Sequence, residues 1–366
     1  MEGPRAPTTQ EFPELVDFLN KNLREQTVAA WSIAEEYPTA VNAENIQNFR
    51  IIKEEMKILS HALMKPIMCK TRRGLFKVGA LGSVVTENEY RNQGLSQTII
   101  KDCLSSMTAQ NCDIAILWTN LYDFYRKLGF ELAGSEISLT VDKPLPLPPH
   151  EFKIIQNNKV DPQALYRLYS QHSVSSIRSL DDFEKYLKIP NCRLYTAWNK
   201  DGRMEAYAVE GKGADLQGYI HEWGGGVDAI VALVNHIRLA TGKPVTLISP
   251  IHAQGLIRKL ESFGVKRLDG FLGMIKITHP QNFFAKIIKN ARQEWGVSNL
   301  VLEKRGDDFY YGVGSDLFKT DQEADIVRLL FGPPKPSQFH DSGPQVNAVF
   351  DQIFPLEMWV WGWDSI

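Results

Sequence analysis

Cysteine is scarce: four occur in 366 residues, Cys69, Cys103, Cys112 and Cys192, and none forms a Cys-x-x-Cys pair. Neither a zinc clip nor a disulfide framework is indicated. Cys103 and Cys112 sit among apolar neighbours and read as small core fillers. No apolar run approaches the roughly 20 residues needed to span a bilayer. The N-terminal run Met1-Glu2-Gly3-Pro4-Arg5-Ala6-Pro7 lacks the charged-then-apolar order of a signal peptide. Excess charge of either sign is also missing, since 41 Lys+Arg against 43 Asp+Glu leave a net charge of −2. That balance argues against a general nucleic-acid binder. Eight histidines are scattered without His-Glu-x-x-His spacing, so no metal is expected, and His61 reads as a core or sheet residue rather than a base. What is present, 43% hydrophobic and 23% charged residues, suits a folded chain with a large core. The expectation is a soluble, reduced, cytoplasmic protein with neither a nucleic-acid nor a membrane partner.

Proline marks the divisions. The run Asp142-Lys143-Pro144-Leu145-Pro146-Leu147-Pro148-Pro149 can neither continue a helix nor pair in a central strand, so it reads as a linker. A further break falls near Thr278-His279-Pro280. These cuts give 1–145, 146–278 and 279–366. A weak repeat supports them: Tyr125-Arg126-Lys127-Leu128-Gly129-Phe130 is echoed by Ile257-Arg258-Lys259-Leu260 with Phe263-Gly264, 132 positions on, and the same offset carries Gly94 onto Gly226. A repeat of that length indicates a duplicated domain rather than a solenoid unit.

Within the first segment, Phe76–Thr86 reads as a buried strand. Residues 94–109 carry helical spacing through Leu95, Ile99, Ile100, Cys103 and Leu104. Asp113–Thr119 reads as a second strand, residues 121–128 as a short helix, and Gly129 as its left-handed stop. This order is α/β with neighbouring parallel strands.

The chemistry concentrates in Val84-Val85-Thr86-Glu87-Asn88-Glu89-Tyr90-Arg91-Asn92-Gln93-Gly94-Leu95-Ser96. A strand running into a turn that opens a helix leaves backbone N–H groups at the positive end of the helix dipole, an anion site. Gly94 permits close approach, Arg91 adds charge, and Ser96 is small enough not to obstruct. Walker and Gly-x-Gly-x-x-Gly patterns are absent, so the residues by themselves indicate a diphosphate site of moderate specificity.

Here the chain resembles the GCN5-related N-acetyltransferases (GNAT). Their Arg/Gln-x-x-Gly-x-Gly/Ala signature corresponds to Arg91-x-x-Gly94-x-Ser96, with Ser in place of the usual last small residue. The resemblance implies that Arg91, Asn92, Gln93, Gly94, Leu95 and Ser96 hold the pyrophosphate of acetyl-CoA, the expected co-substrate. It likewise implies that Val84, Val85 and Thr86 lie along its pantetheine and acetyl groups. Asn120 and then Phe124-Tyr125-Arg126-Lys127-Leu128-Gly129-Phe130 look like the family's second hallmark, which makes Tyr125 the general acid for the leaving thiolate. A Tyr packed under the sheet is the plain alternative.

More narrowly, the chain is similar to Eis (enhanced intracellular survival) type acetyltransferases. The fold so implied is α/β (α+β): a catalytic GNAT domain over 1–145, a degenerate second GNAT domain over 146–278 and a sterol-carrier-like domain over 279–366. Ile257 stands where the first copy has Tyr125, and no Arg accompanies Gly226, so one active site per chain follows. The resemblance places the terminal carboxylate of Ile366 in that site as a base and allows a homo-oligomer. Trp31, Glu35 and Glu36 are candidate acceptor-pocket residues, where carboxylates would attract a cationic amine; a solvated helix end is the other reading. Trp359, Trp361 and Trp363 alternate, and their packing on the protein is expected over a membrane-interface belt. The activity expected is transfer of an acetyl group to a small-molecule or peptide amine by direct attack in a ternary complex. The alternatives are another acyl or aminoacyl transfer, or a non-catalytic CoA-binding adaptor.

Overall fold

The computed structural model describes residues 1–24, 31–146 and 151–366. Leu147, Pro148 and Pro149 of the proline run lie outside the described residues. Among the described residues no helix is long and apolar enough to cross a membrane.

The chain opens with β1 (Glu2–Arg5), α1 (Phe12–Arg24) and α2 (Ile33–Glu36). Helix α1 is amphipathic and buries Leu15, Phe18 and Leu19. Then come β2 (Phe49–Glu54), β3 (Lys57–Thr71), β4 (Gly74–Thr86), α3 (Leu95–Ala109), β5 (Ile114–Leu117), α4 (Tyr122–Arg126) and β6 (Glu131–Ala133). Strands β2, β3 and β4 are antiparallel neighbours, and β5 lies parallel to β4 with Val78, Gly79 and Ala80 opposite Ile114, Ala115 and Ile116. The predicted strand–loop–helix–strand order is present, each element within a few residues of expectation. A parallel pair buried on both faces needs the nearly continuous apolar runs these two strands have. Beyond Ala80, β4 runs on to Thr86 without β5 beside it, so the two strands part.

The second segment holds β7 (Glu136–Val141), β8 (Lys153–Gln156), α5 (Pro162–Tyr169), β9 (Ser175–Ser176), α6 (Leu180–Tyr186), β10 (Arg193–Trp198), β11 (Met204–Lys212), β12 (Asp215–Gly225), α7 (Val227–Thr241), β13 (Val245–Pro250), α8 (Gln254–Glu261) and β14 (Lys266–Gly270). After it come β15 (Gly273–Ile277), α9 (Pro280–Trp295), a three-stranded antiparallel sheet of β16 (Leu300–Arg305), β17 (Asp308–Val313) and β18 (Asp316–Thr320), α10 (Glu323–Phe331) and α11 (Pro344–Ile353).

The strands do not divide at 145 and 278. The first sheet runs β1-β2-β3-β4-β5-β15-β6, and the second β14-β7-β13-β12-β11-β10-β8. Thus β7, expected to close the first domain, lies between β13 and β14. In return β15 inserts between β5 and β6, pairing Met274 with both Leu117 and Leu132. Strand β9 also reaches back to β3. Local pattern makes a strand, but only tertiary pairing assigns it to a sheet.

The repeat is carried by whole elements. Helix α3 begins at Leu95 after Gly94 and α7 at Val227 after Gly226, while α4 begins at Tyr122 and α8 at Gln254. The copies differ at the turn. Gly94 has a left-handed φ of 80° after a loop, whereas Gly226 is extended and follows β12 directly. At the same offset from residues 87–93, residues 219–225 of the second copy continue β12 instead of forming a loop, and Ile257 is buried where the first has Tyr125.

The last thirteen residues leave α11 and thread between the other units. Trp359, Trp361 and Trp363 are all buried, as the packing reading expected. Trp363 stacks on Tyr186 at 5.3 Å, and Trp361 meets Trp223 edge-on at 5.1 Å. Buried Arg178 donates to Glu222 at 2.8 and 3.0 Å and to Asp364 at 2.6 and 3.0 Å; Asp364 also accepts from Tyr186 at 2.8 Å. Lys212 donates to the carbonyls of Gly362 at 2.9 Å and Ser365 at 2.7 Å. Burial alone would raise the Asp364 carboxyl, but Arg178 and Lys65 outweigh it and hold it well below the usual carboxylate range.

Candidate active site

The loop after β4 has the backbone of an anion cradle. Asn92 and Gly94 both take left-handed conformations, φ 62° and 80°, so successive N–H groups turn to one side. No side chain caps α3, leaving its first N–H groups unclaimed within the helix. Arg91, Asn92, Gln93 and Gly94 are exposed, and Arg91 Nε donates to the Thr86 carbonyl at 3.2 Å, which folds its stem along the loop. The Ser96 hydroxyl meets that of Thr86 at 2.7 Å, and Thr86 meets Ser60 at 2.8 Å. A chain of three hydroxyls therefore ties the loop to β3 and draws the Ser96 side chain toward the strand. Leu95 is half-buried at the start of α3.

Immediately before the loop, β4 is kinked. His61 pairs with Val85 but Leu63 pairs with Gly82, so β4 carries one extra residue, and Ser83 takes φ 49°. The His61 ring Nδ1 lies 2.8 Å from the Ser83 carbonyl and pins the bulge. Burial lowers the His61 pKa to about 4, so the ring is neutral, as a sheet residue should be. Val84 is half-buried against the apolar cluster that contains Leu81, Ile99, Leu117 and Tyr125, while Val85 packs on the α1 side.

Tyr125 is the buried residue of α4, edge-on to Phe124 at 5.0 Å and to Phe130 at 5.8 Å. Val84 and Leu95 flank the cluster it sits in. Burial pushes its phenol up to about 12, so it holds its proton throughout the neutral range. Among the described residues no protein group hydrogen-bonds to its hydroxyl. Asn120 is exposed just beyond β5.

The chain end reaches this strand. A Cβ built on Gly82 would lie 3.0 Å from the carboxyl carbon of Ile366 and 2.9 Å from its Cγ1. Ile366 thus occupies the place that any side chain at residue 82 would need. Beside it is a cavity of about 380 Å3 lined by, among others, Tyr37, Trp118, Glu136, Lys212, Trp359 and Ile366. A larger groove of about 860 Å3 lies on the second unit, around Arg193 and Glu210, and contains none of the residues expected in the site.

The acceptor-pocket expectation shifts accordingly. Glu36 is wholly buried, bound by Arg24 and by the Ala214 N–H. Glu35 closes the capping box of α2 by accepting from the Ser32 N–H at 2.9 Å. Neither they nor Trp31 line the cavity; Tyr37 does. The same short stretch is involved, but its carboxylates are spent on structure. The cavity's own carboxyl side chains, Glu136 and Asp215, come from the second sheet, and nothing local in their sequence announces them.

A diverging parallel pair, a bulged strand and an uncapped helix start give the first unit a GNAT-type fold. The model of the acetyltransferase (GNAT) domain family matches residues 4–133, so the first unit is a GNAT acetyltransferase domain. Among curated proteins no sequence match is found. Among solved structures, a GCN5-related N-acetyltransferase from Anabaena variabilis is similar with TM-score 0.69 at 16% identity, covering 99% of both chains. One from Kribbella flavida gives 0.65 at 12%, covering 97% of both. Eis1 from Mycobacterium abscessus gives 0.63 at 12%, covering 97% of this chain and 96% of that one. The protein therefore has the Eis-like tandem GNAT fold over nearly its whole length.

Proposed function

We infer that the protein is an acetyl-CoA-dependent N-acetyltransferase acting on a primary amine by direct attack in a ternary complex. The observation that supports this is that the parts are gathered on one strand: the loop with left-handed Asn92 and Gly94 follows β4, Val84 of β4 shares an apolar cluster with Tyr125, and the Ile366 carboxyl lies against Gly82 of β4. The loop N–H groups and Arg91 would take the pyrophosphate, and the backbone N–H groups freed at the bulge would polarise the thioester carbonyl. The amine nitrogen forms the new C–N bond and the C–S bond breaks. The thiolate takes the Tyr125 proton, and the proton lost by the amine goes to the Ile366 carboxylate. No covalent enzyme intermediate is required, and all four cysteines are buried.

The test is thiol release from acetyl-CoA with an amine panel, alongside thermal stabilisation by acetyl-CoA. Tyr125→Phe should keep the stabilisation and lose kcat by about 10²-fold or more. Unchanged turnover in Tyr125→Phe would remove the general acid from the scheme. Acetyl-CoA that neither stabilises the protein nor releases thiol would favour an adaptor.

A further inference from the structure

We propose that the cavity beside Ile366 is the acceptor pocket for a short α,ω-diamine, whose non-reacting ammonium rests on Glu136. This deepens the acetyltransferase reading and rests on it.

Glu136 is the side chain that sets this pocket apart. It lines the cavity from the first residue of β7, on the face that Ser138 and Ile248 share, and among the described residues it has neither hydrogen bond nor ion pair. The other charged side chains there are committed. Asp215 is held by Arg24 at 3.1 Å and by the Tyr37 hydroxyl, and Lys212 is held by the tail carbonyls. A half-buried carboxyl with no cation is a cost to the free protein; burial pushes the Glu136 pKa to about 7. A ligand cation removes that cost.

Position decides which nitrogen Glu136 serves. The reacting nitrogen must be neutral and close to the bulge of β4, where Gly82 and Ile366 meet. Glu136 lines the same cavity from β7, which belongs to the other sheet from β4, so it comes from a different wall than the strand that meets Ile366 and suits a second nitrogen that stays charged. The rings of Tyr37, Trp118 and Trp359 with Ile248 and Leu272 also line the cavity, surfaces for methylene groups and for ammonium over a ring face. Trp118 is fixed by its indole N–H donating to the Leu272 carbonyl at 2.8 Å. A cavity of about 380 Å3 stands near the small end for ligand pockets, which disfavours multi-ring polycations.

The experiment compares kcat/KM for n-alkylamines and α,ω-diamines of matched chain length, in wild type and Glu136→Gln, with acetyl-CoA binding measured separately. The diamine should be preferred by at least about tenfold, the strength of one charge-assisted hydrogen bond. Glu136→Gln should erase the preference by raising KM for the diamine. Equal use of mono- and diamines, a preference that survives Glu136→Gln, or turnover confined to aminoglycosides or peptide lysines would overturn the diamine proposal while leaving the transferase intact. Failure of acetyl-CoA to bind would instead overturn the reading beneath it. Folding of Glu136→Gln is checked by its melting temperature, which should not fall.

Discussion

Gly82→Ala is the sharpest probe of the Ile366 assignment. The new methyl would lie 2.9 Å from Ile366 Cγ1, 3.0 Å from its carboxyl carbon and 3.2 Å from Cδ1. Carbon atoms rest comfortably at about 3.5–4.0 Å, so something must withdraw by about 0.5–1 Å. At Gly82 strand β4 is hydrogen-bonded to β3, opposite Leu63, whereas Ile366 is the last residue and half-buried; the terminal residue yields. Overpacking against so yielding a neighbour should cost only about 1 kcal/mol, the low end for such changes. The catalytic consequence is larger, because a displacement near 1 Å in a reacting constellation costs on the order of 10²-fold. Gly82→Ala should therefore lower kcat by about 10- to 100-fold at saturating substrates, leave acetyl-CoA affinity unchanged, and barely move the melting temperature. Adding Ile366→Ala removes the contacts to Cγ1 and Cδ1 but not that to the carboxyl carbon, so recovery should be partial. Gly82→Ala with kcat within twofold of wild type would refute the assignment.

Asp364→Ala leaves Arg178 with half its partners and frees the tail, and should cost about 3–5 kcal/mol in urea unfolding; under 1 kcal/mol would mean the cluster does not anchor the tail. Glu136 has a folded pKa near 7 against an ordinary 4.5, so the folded state keeps a proton that the unfolded state loses. Stability should fall as pH rises between those values, by up to about 3 kcal/mol. Glu136→Gln should consequently raise the melting temperature at pH 8 and not at pH 5, and an equal change at both would contradict the burial argument. Gly94→Ala meets no atom within 4 Å but must hold φ 80°. Its cost of about 1–2 kcal/mol is purely conformational and should appear as weaker acetyl-CoA binding, with Gly94→Asn milder than Gly94→Ala.

Much of the first unit was legible because its signals are local. The Val- and Gly-rich strand, the glycine-led turn, the 3.6-residue stripe of α3 and the Phe-Tyr-Arg-Lys-Leu-Gly run each specify a conformation from neighbouring residues alone. The duplication was legible for the same reason, since Gly94 and Gly226 start helices of equal length. Strand exchange was not. Nothing in Glu-Ile-Ser-Leu-Thr-Val says that β7 belongs between β13 and β14, and Gly-Met-Ile-Lys-Ile reads equally well at the edge of either sheet. The bulge had a faint signal in Gly82-Ser83, a small pair inside an apolar strand.

The acceptor side of the site was least legible, and the exchange explains why. By giving β7 to the second sheet and taking β15 into the first, the chain lays the two sheets against each other along the cavity, so its wall draws on Tyr37, Trp118, Glu136, Lys212, Leu272 and Trp359, scattered over more than 300 positions. A carboxylate at Glu35 or Glu36 looked available because sequence shows charge but not commitment: Arg24 and a helix cap had already claimed them. The tail follows the same logic. Three tryptophans and the Asp364–Arg178 pair are buried to hold a few residues against Gly82. Anchored as it is, the tail lays Ile366 against Gly82 of β4, the strand on which the proposed chemistry rests.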